Sequence, residues 1–207
     1  MESTIKSIAI GKVKNYSKNE KNFDSAYKKD IFLDSAKINS DGITDDIQVD
    51  KRYHGGLDKA IHIGSNTHII KNPTFDKLFI GCNLIIEDLD EKDICVGDIY
   101  KIGNVKIQVT QPRHPCWKIG AIFNKDINRY IVNNHATGWY VKVLEEGTIN
   151  IEDKMILEKR VSNLSIYDLS VYLKNSPSDK RIINEILESE FIAQSYKNDF
   201  LKKLDKK

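Results

Sequence analysis

The chain has 207 residues, 40% hydrophobic and 30% charged, a balance that supports one folded core with an appendage and excludes a disordered segment. Thirty-two basic residues against 30 acidic leave a net charge of +2, so no global field calls for nucleic acid or a membrane surface as partner. No apolar run is long enough to span a bilayer, the opening "MESTIKSIAIGKV" lacks the pattern of a secretion signal, and the expected location is the cytoplasm.

In chain order, "SIAIGKV" (7–13), "CNLIIEDL" (82–89), "DIYKIG" (98–103), "VKIQVTQ" (105–111) and "GWYVKVL" (138–144) are short, rich in Ile and Val, and bounded by Gly, Asn or Asp. They read as strands at a spacing that suggests a β-barrel or curled sheet rather than βαβ units. Val105, Ile107 and Val109 alternate with Lys106, Gln108 and Thr110, the period of a half-buried strand. The turn residues at 103–104 make a hairpin of residues 98–109. Beyond about Arg160 the period changes to that of helices. Ser165 is placed to cap a helix striped by Ile166, Leu169 and Leu173. Ser176 and Pro177 are placed to open a second, striped by Ile182, Ile183, Ile186 and Leu187. Ile192, Tyr196, Phe200 and Leu204 mark a third. These stripes read as packing surfaces.

Three clusters carry groups with chemical potential. In "HGGLDKAIH" (54–62), consecutive glycines let backbone N–H groups approach an anion, and Arg52, His54 and Lys59 add positive charge; taken alone, the segment is better explained as an ordinary glycine turn with solvated charges. In the second, Asn83 either faces a ligand or closes a turn, and Asp88, Asp90, Glu91 and Asp93 read as a solvated acidic loop without calcium-site spacing. The third is "TQPRHPCWKIG" (110–120). Pro112 and Pro115 cannot donate to a ladder, so the strand ends or lies at an edge there. Arg113, His114 and Lys118 around Cys116 favour a thiolate, able to attack an electrophile or bind a soft metal. The competing description is a thiol buried under Trp117. His114 with Cys116 suggests a nucleophile and its base, but no third, orienting residue is identifiable. Cys82 and Cys95 read as reduced, buried thiols, and His62, His68 and His135 as structural or surface histidines.

Taken together and in order, "HGGLDKA" (54–60), "GCNL" (81–84), "ICVGDIYKIG" (94–103), "VTQPRHPCWKI" (109–119) and "GWYVKVLEEG" (138–147) resemble the MOSC family, in its bacterial YiiM-type branch. The resemblance implies a mainly-β fold: a MOSC-type β-barrel over residues 1–160 and a small all-α appendage of three helices over 161–207. It implies molybdenum cofactor (molybdopterin), with Cys116 as the metal ligand and the catalytic residue. It assigns cofactor binding to His54, Gly55, Gly56, Asp58, Lys59, Asn83, Arg113 and Lys118. The implied activity is reduction of small N-hydroxylated compounds, such as hydroxylaminopurine-type base analogues, in detoxification. No flavin or nicotinamide fingerprint is visible, so electrons come from a separate reductase, and a homodimer is left open. Two rival readings are a sulfur carrier with a Cys116 persulfide and a cofactor-binding module without turnover. The chain departs from the family in writing Cys82 for a usual glutamate, Asp45 for a glycine before the retained Asp46, and a short stretch at 63–80. A glutamate at 82 would offer the site a carboxylate; Cys82 is expected to be neutral and to bind no metal.

Overall fold

The computed structural model describes residues 1–49, 55–72, 81–123 and 125–205. In chain order the strands are β1 (Glu2–Ile10), β2 (Lys14–Lys18), β3 (Lys21–Ser25), β4 (Ile31–Leu33), β5 (Ser35–Asn39), β6 (Gly42–Ile43), β7 (Ile61–Ser65), β8 (Leu84–Ile86), β9 (Ile99–Ile102), β10 (Val105–Pro112), β11 (Trp139–Glu145), β12 (Gly147–Asn150) and β13 (Lys154–Lys159). Seven of them close a ring in the order β13-β9-β10-β11-β7-β8-β1 and back to β13. Every neighbouring pair in the ring is antiparallel except β7–β8. The first half of β1 pairs with β13 and its last three residues with β4. Ile5, Ile8, Tyr100, Ile107, Trp139, Val141 and Met155 fill the ring. The barrel and its C-terminal helices are thus as the sequence led one to expect.

Local chemistry explains the turns. The expected hairpin is β9–β10, with Ile102 opposite Val105 and Gly103 at φ +58°. Between β2 and β3, Asn19 and Glu20 both take positive φ, the two-residue turn whose twist suits a hairpin. Asp45, where the family has glycine, sits at φ +68°. Aspartate is among the few residues that enter this region at small cost, so the substitution keeps the turn.

Two expectations need correction. Strand β10 is not half-buried: Gln108, Thr110 and Gln111 are buried as well as the apolar positions. The helical appendage covers that second face, where Thr110 O accepts from Ala193 N and Ser195 Oγ donates to Gln111 Oε1 (2.7 Å). A buried polar face with its bonds made is as stable as an apolar one, and alternation cannot reveal it. The strand does end at Pro112. The barrel segment is also not strands alone, for it contains α1 (Thr67–Lys71), α2 (Trp117–Ile122) and α3 (Lys125–Asn134). Ile119, Ile127 and Ile131 from the last two pack with Tyr27, Cys82 and Ile85 into a second apolar cluster.

The closing helices are α4 (Ile166–Lys174), α5 (Lys180–Glu188) and α6 (Gln194–Leu204). Ser165 makes a reciprocal capping box with Asp168. The second helix starts later than expected: Asp179, not Ser176, accepts from Arg181 N, and Pro177 lies outside. Leu169, Leu173, Ile186, Tyr196 and Phe200 form a core of their own into which the barrel segment inserts Val96. Among the described residues no helix is long and apolar enough to cross a membrane.

Candidate functional site

At the rim where β10 ends and β8 and β11 begin, polar side chains from five segments are buried against one another. Asp46 follows β6, and its carboxylate takes Lys29 Nζ at 2.7 Å, Gly11 N at 2.8 Å and Asn83 Nδ2 at 3.0 Å. Burial lowers the Lys29 ammonium from its ordinary value, against the pull of Asp46. Asn83 also donates to Ala9 O and accepts His62 N through Oδ1. Its amide ties three distant segments together and lines a cavity at once.

His62, on β7, is fully enclosed, and burial followed by the nearby Arg113 charge holds its imidazole well below 6.5. The neutral ring must donate from Nε2, because its neighbour there at 3.1 Å is the carbonyl of Thr137. Nδ1 therefore accepts from Arg113 Nη1 at 3.0 Å. Arg113, just past the end of β10, is buried beneath the Tyr27 ring, 4.0 Å from its centroid. Its backbone N–H is held by Gly138 O. His62 thus orients the guanidinium, a role that its sequence position, six residues past the double glycine, does not disclose.

The His62 shift has a measurable sign. Its folded value lies below the unfolded 6.5, so above about pH 6.5 it contributes nothing to pH dependence. As pH falls below that, the unfolded chain takes up a proton that the folded site refuses, and stability is lost. We expect the wild type to lose stability on acidification below 6.5 more steeply than His62→Gln, measured by urea denaturation at stepped pH. His135, lowered in the same direction by burial, keeps a residual slope in the variant.

Two connected cavities share Lys59, Arg113, Lys118 and Tyr140. The inner one, about 60 Å³, is lined by Tyr27, Lys29, Asp46, His62, Asn83 and Gly55 among others. The Tyr27 hydroxyl is buried there without a hydrogen-bond partner among the described residues. The outer cleft, about 700 Å³, lies between the α2 region and α6, and Cys116 and Trp117 line it. Burial lowers the Lys59 ammonium, offset in part by Asp199.

The structure brings together Gly55, Lys59, Asn83, Arg113, Cys116 and Lys118 of the expected residues. His54 and Arg52 lie outside the described residues. Gly56 and Asp58 line neither cavity; Asp58 is exposed, and its carbonyl accepts from Thr110 Oγ1 at 2.6 Å. Cys116 flanks α2 and is part-buried, but not beneath Trp117, whose indole is 57% exposed and packs edge-on against Phe23. No hydrogen bond joins Cys116 to His114, which faces Asp199 at 3.9 Å, so a nucleophile–base pair is not formed. Cys82 is 1% exposed in the second apolar cluster, its thiol pushed far up by burial. Its sulfur fills the space left by Gly64, where a Cβ would come within 2.4 Å of it. With cysteine in place, position 82 lines neither cavity. Glu91 is also not solvated: it is 2% exposed, takes Gly138 N at 2.7 Å and meets His68 Nε2 at 2.8 Å.

Comparison with known proteins agrees with this geometry. Protein YiiM of Escherichia coli (strain K12) is 29% identical over 164 residues, 75% of this chain and 73% of that one. A protein named "Reductase" from Gibberella moniliformis is 34% identical over 118 residues, 52% of this chain but 21% of that one. The crystal structure of YiiM from Geobacillus stearothermophilus matches with a TM-score of 0.79 at 26% identity, covering 98% of this chain and 99% of that one. The MOSC domain family model matches residues 50–156, which include strands β7 to β11 of the ring, His62, Asn83, Arg113 and Cys116. With more than half its length matched and the ring of strands in place, the chain belongs to the MOSC domain family.

Proposed function

We propose that the chain holds molybdenum cofactor in the two connected cavities and reduces N-hydroxylated compounds, with electrons from a separate reductase. One observation carries this reading: a single part-buried thiol, Cys116, lines a cleft continuous with a pocket of buried cations. Among the described residues no cluster of three His, Cys, Asp or Glu could hold a bare metal ion. A metal that brings its own ligands needs only one more, and a soft thiolate suits it. The pterin phosphate fits donors that line the cavities: Lys59, Arg113, Lys118, the backbone at Gly55 and the Tyr27 hydroxyl, which has no partner among the described residues.

When bound, the cofactor supplies the two-electron centre that takes oxygen from the N–O group, leaving an amine and, with two protons, water. The chain does the rest. Cys116 anchors the metal, Arg113 and the two lysines hold the anionic end, and His62 fixes the Arg113 fork through its acceptor nitrogen. The Asp46–Lys29–Asn83 network keeps the inner wall rigid. The name of the fungal protein, "Reductase", supports a reductive activity, although this chain matches only 21% of its length.

Anaerobic purification followed by molybdenum and pterin quantification, with turnover of hydroxylaminopurine under a supplied donor, tests the reading. Stoichiometric metal and amine product are expected; a Cys116 persulfide without molybdenum would replace it with a sulfur carrier. For the anion contacts, Lys59→Gln or Lys118→Gln should each weaken cofactor retention by about 1.5–3 kcal/mol, the worth of a charge-assisted hydrogen bond. Equilibrium dialysis of released cofactor measures this, and unchanged occupancy in both variants places the phosphate elsewhere.

A further inference from the structure

Helix α6 has two faces. Tyr196 and Phe200 are buried in the helical core, whereas Ser195, Asn198, Asp199 and Lys202 line the outer cleft. Their spacing of three, four and seven residues is one stripe of a helix. The appendage is therefore more than packing, for it builds the wall across from Cys116 and Trp117. That wall has fixed polarity. Gln194 Nε2 donates to Asn198 Oδ1 at 2.9 Å, which leaves Asn198 Nδ2 as the donor it presents. The neighbouring Asp199 is an acceptor, steadied by Lys202 Nζ at 3.0 Å.

On the other side, Trp117 makes its ring contact with Phe23, centroids 4.8 Å apart at 66°, an edge arrangement that leaves indole surface to the cleft. A tryptophan this exposed beside a cleft is a stacking surface in search of a flat partner. Indole surface and an adjacent donor and acceptor in one cleft match the face and the edge of a planar nitrogen heterocycle, whose ring nitrogen accepts and whose N–H donates.

We propose that Trp117 with Asn198 and Asp199 forms a specificity subsite for planar nitrogen heterocycles. The assignment of that heterocycle to a substrate ring or to the cofactor's pterin rests on the proposed function; the subsite itself does not. Adenine, which needs no turnover, is the binding probe, titrated by calorimetry into the full chain. Trp117→Ala should weaken it on the order of tenfold, the ordinary loss of one base–aromatic stack, and Trp117→Phe should recover most of that. Asn198→Ala, on the opposite wall and on an exposed helix face, should also weaken it. Two further readouts separate the sources. A fall in pterin content in Trp117→Ala marks the pterin as the stacked ring. A fall in the kcat/KM ratio for hydroxylaminopurine over hydroxyurea, at constant pterin content, marks the substrate. Wild-type protein that binds adenine but reduces no N-hydroxylated compound sinks the proposed function and leaves the subsite standing. Adenine that fails to bind the wild type while pterin content holds in Trp117→Ala, or that binds Trp117→Ala and Asn198→Ala as tightly, overturns the subsite.

Discussion

Cys116→Ala is expected to strip molybdenum from the protein and abolish N-reduction while the barrel stays folded. Loss of a residue that merely supports a ligand costs roughly 10–100-fold in metal affinity, so loss of the ligand itself should cost at least that. The fold has little reason to notice. Cys116 is part-buried at the flank of a six-residue helix, and one sulfur is removed. Stability should shift by no more than about 1 kcal/mol. Elemental analysis and thermal melting of the same preparation check both halves. Cys82→Ser is the informative contrast. It puts a hydroxyl into the apolar cluster formed by Tyr27, Ile85, Ile119 and Ile131, at a cost of roughly 1–3 kcal/mol, yet molybdenum content should hold. Full activity in folded Cys116→Ala removes the ligand assignment.

The largest effect on stability should come from Asp46→Ala. The Lys29 ammonium and the Asp46 carboxylate are both nearly inaccessible, and the carboxylate also serves Gly11 N and Asn83. Removing one partner of a buried pair leaves an uncompensated charge, at about 3–5 kcal/mol. Lys29 is already lowered by burial, and losing Asp46 removes the pull that opposes this. Adding Lys29→Met removes the stranded cation and should recover part of the loss, but not the bonds to Gly11 and Asn83. Urea denaturation of both variants measures this. A loss below 1 kcal/mol in the single variant means that water reaches the pair.

How much of this could be read from the sequence depended on whether a signal was local. The barrel strands and the stripes of α4 and α6 were legible because one face of each is apolar at a fixed period, as in Ile166, Leu169 and Leu173. Helix α3 carries the same signal in Ile127, Tyr130 and Ile131, but strands on both sides of it mask that period. The start of α5 was misplaced because serine followed by proline and aspartate are both good openings, and only the fold chooses Asp179. Cys116 stood out because its cations adjoin it in sequence. His62 did not, because its partners, Thr137 and Arg113, are 75 and 51 residues away. Glu91 looked solvated among Asp88, Asp90 and Asp93 because nothing in that run announces His68 or Gly138. The cleft wall on α6 was equally hidden, since a polar stripe on an amphipathic helix ordinarily faces water.

The pairing of β1 with β13 has a consequence for synthesis of the chain. Glu2 lies opposite Ile156, so the first strand waits for nearly three-quarters of the protein before its final neighbour exists. Until then β1 and β9 each expose an open edge, the kind of backbone that templates pairing with another chain. Contacts this distant in sequence also form late and slowly. A nascent chain arrested before residue 154 should therefore be the form most prone to aggregate.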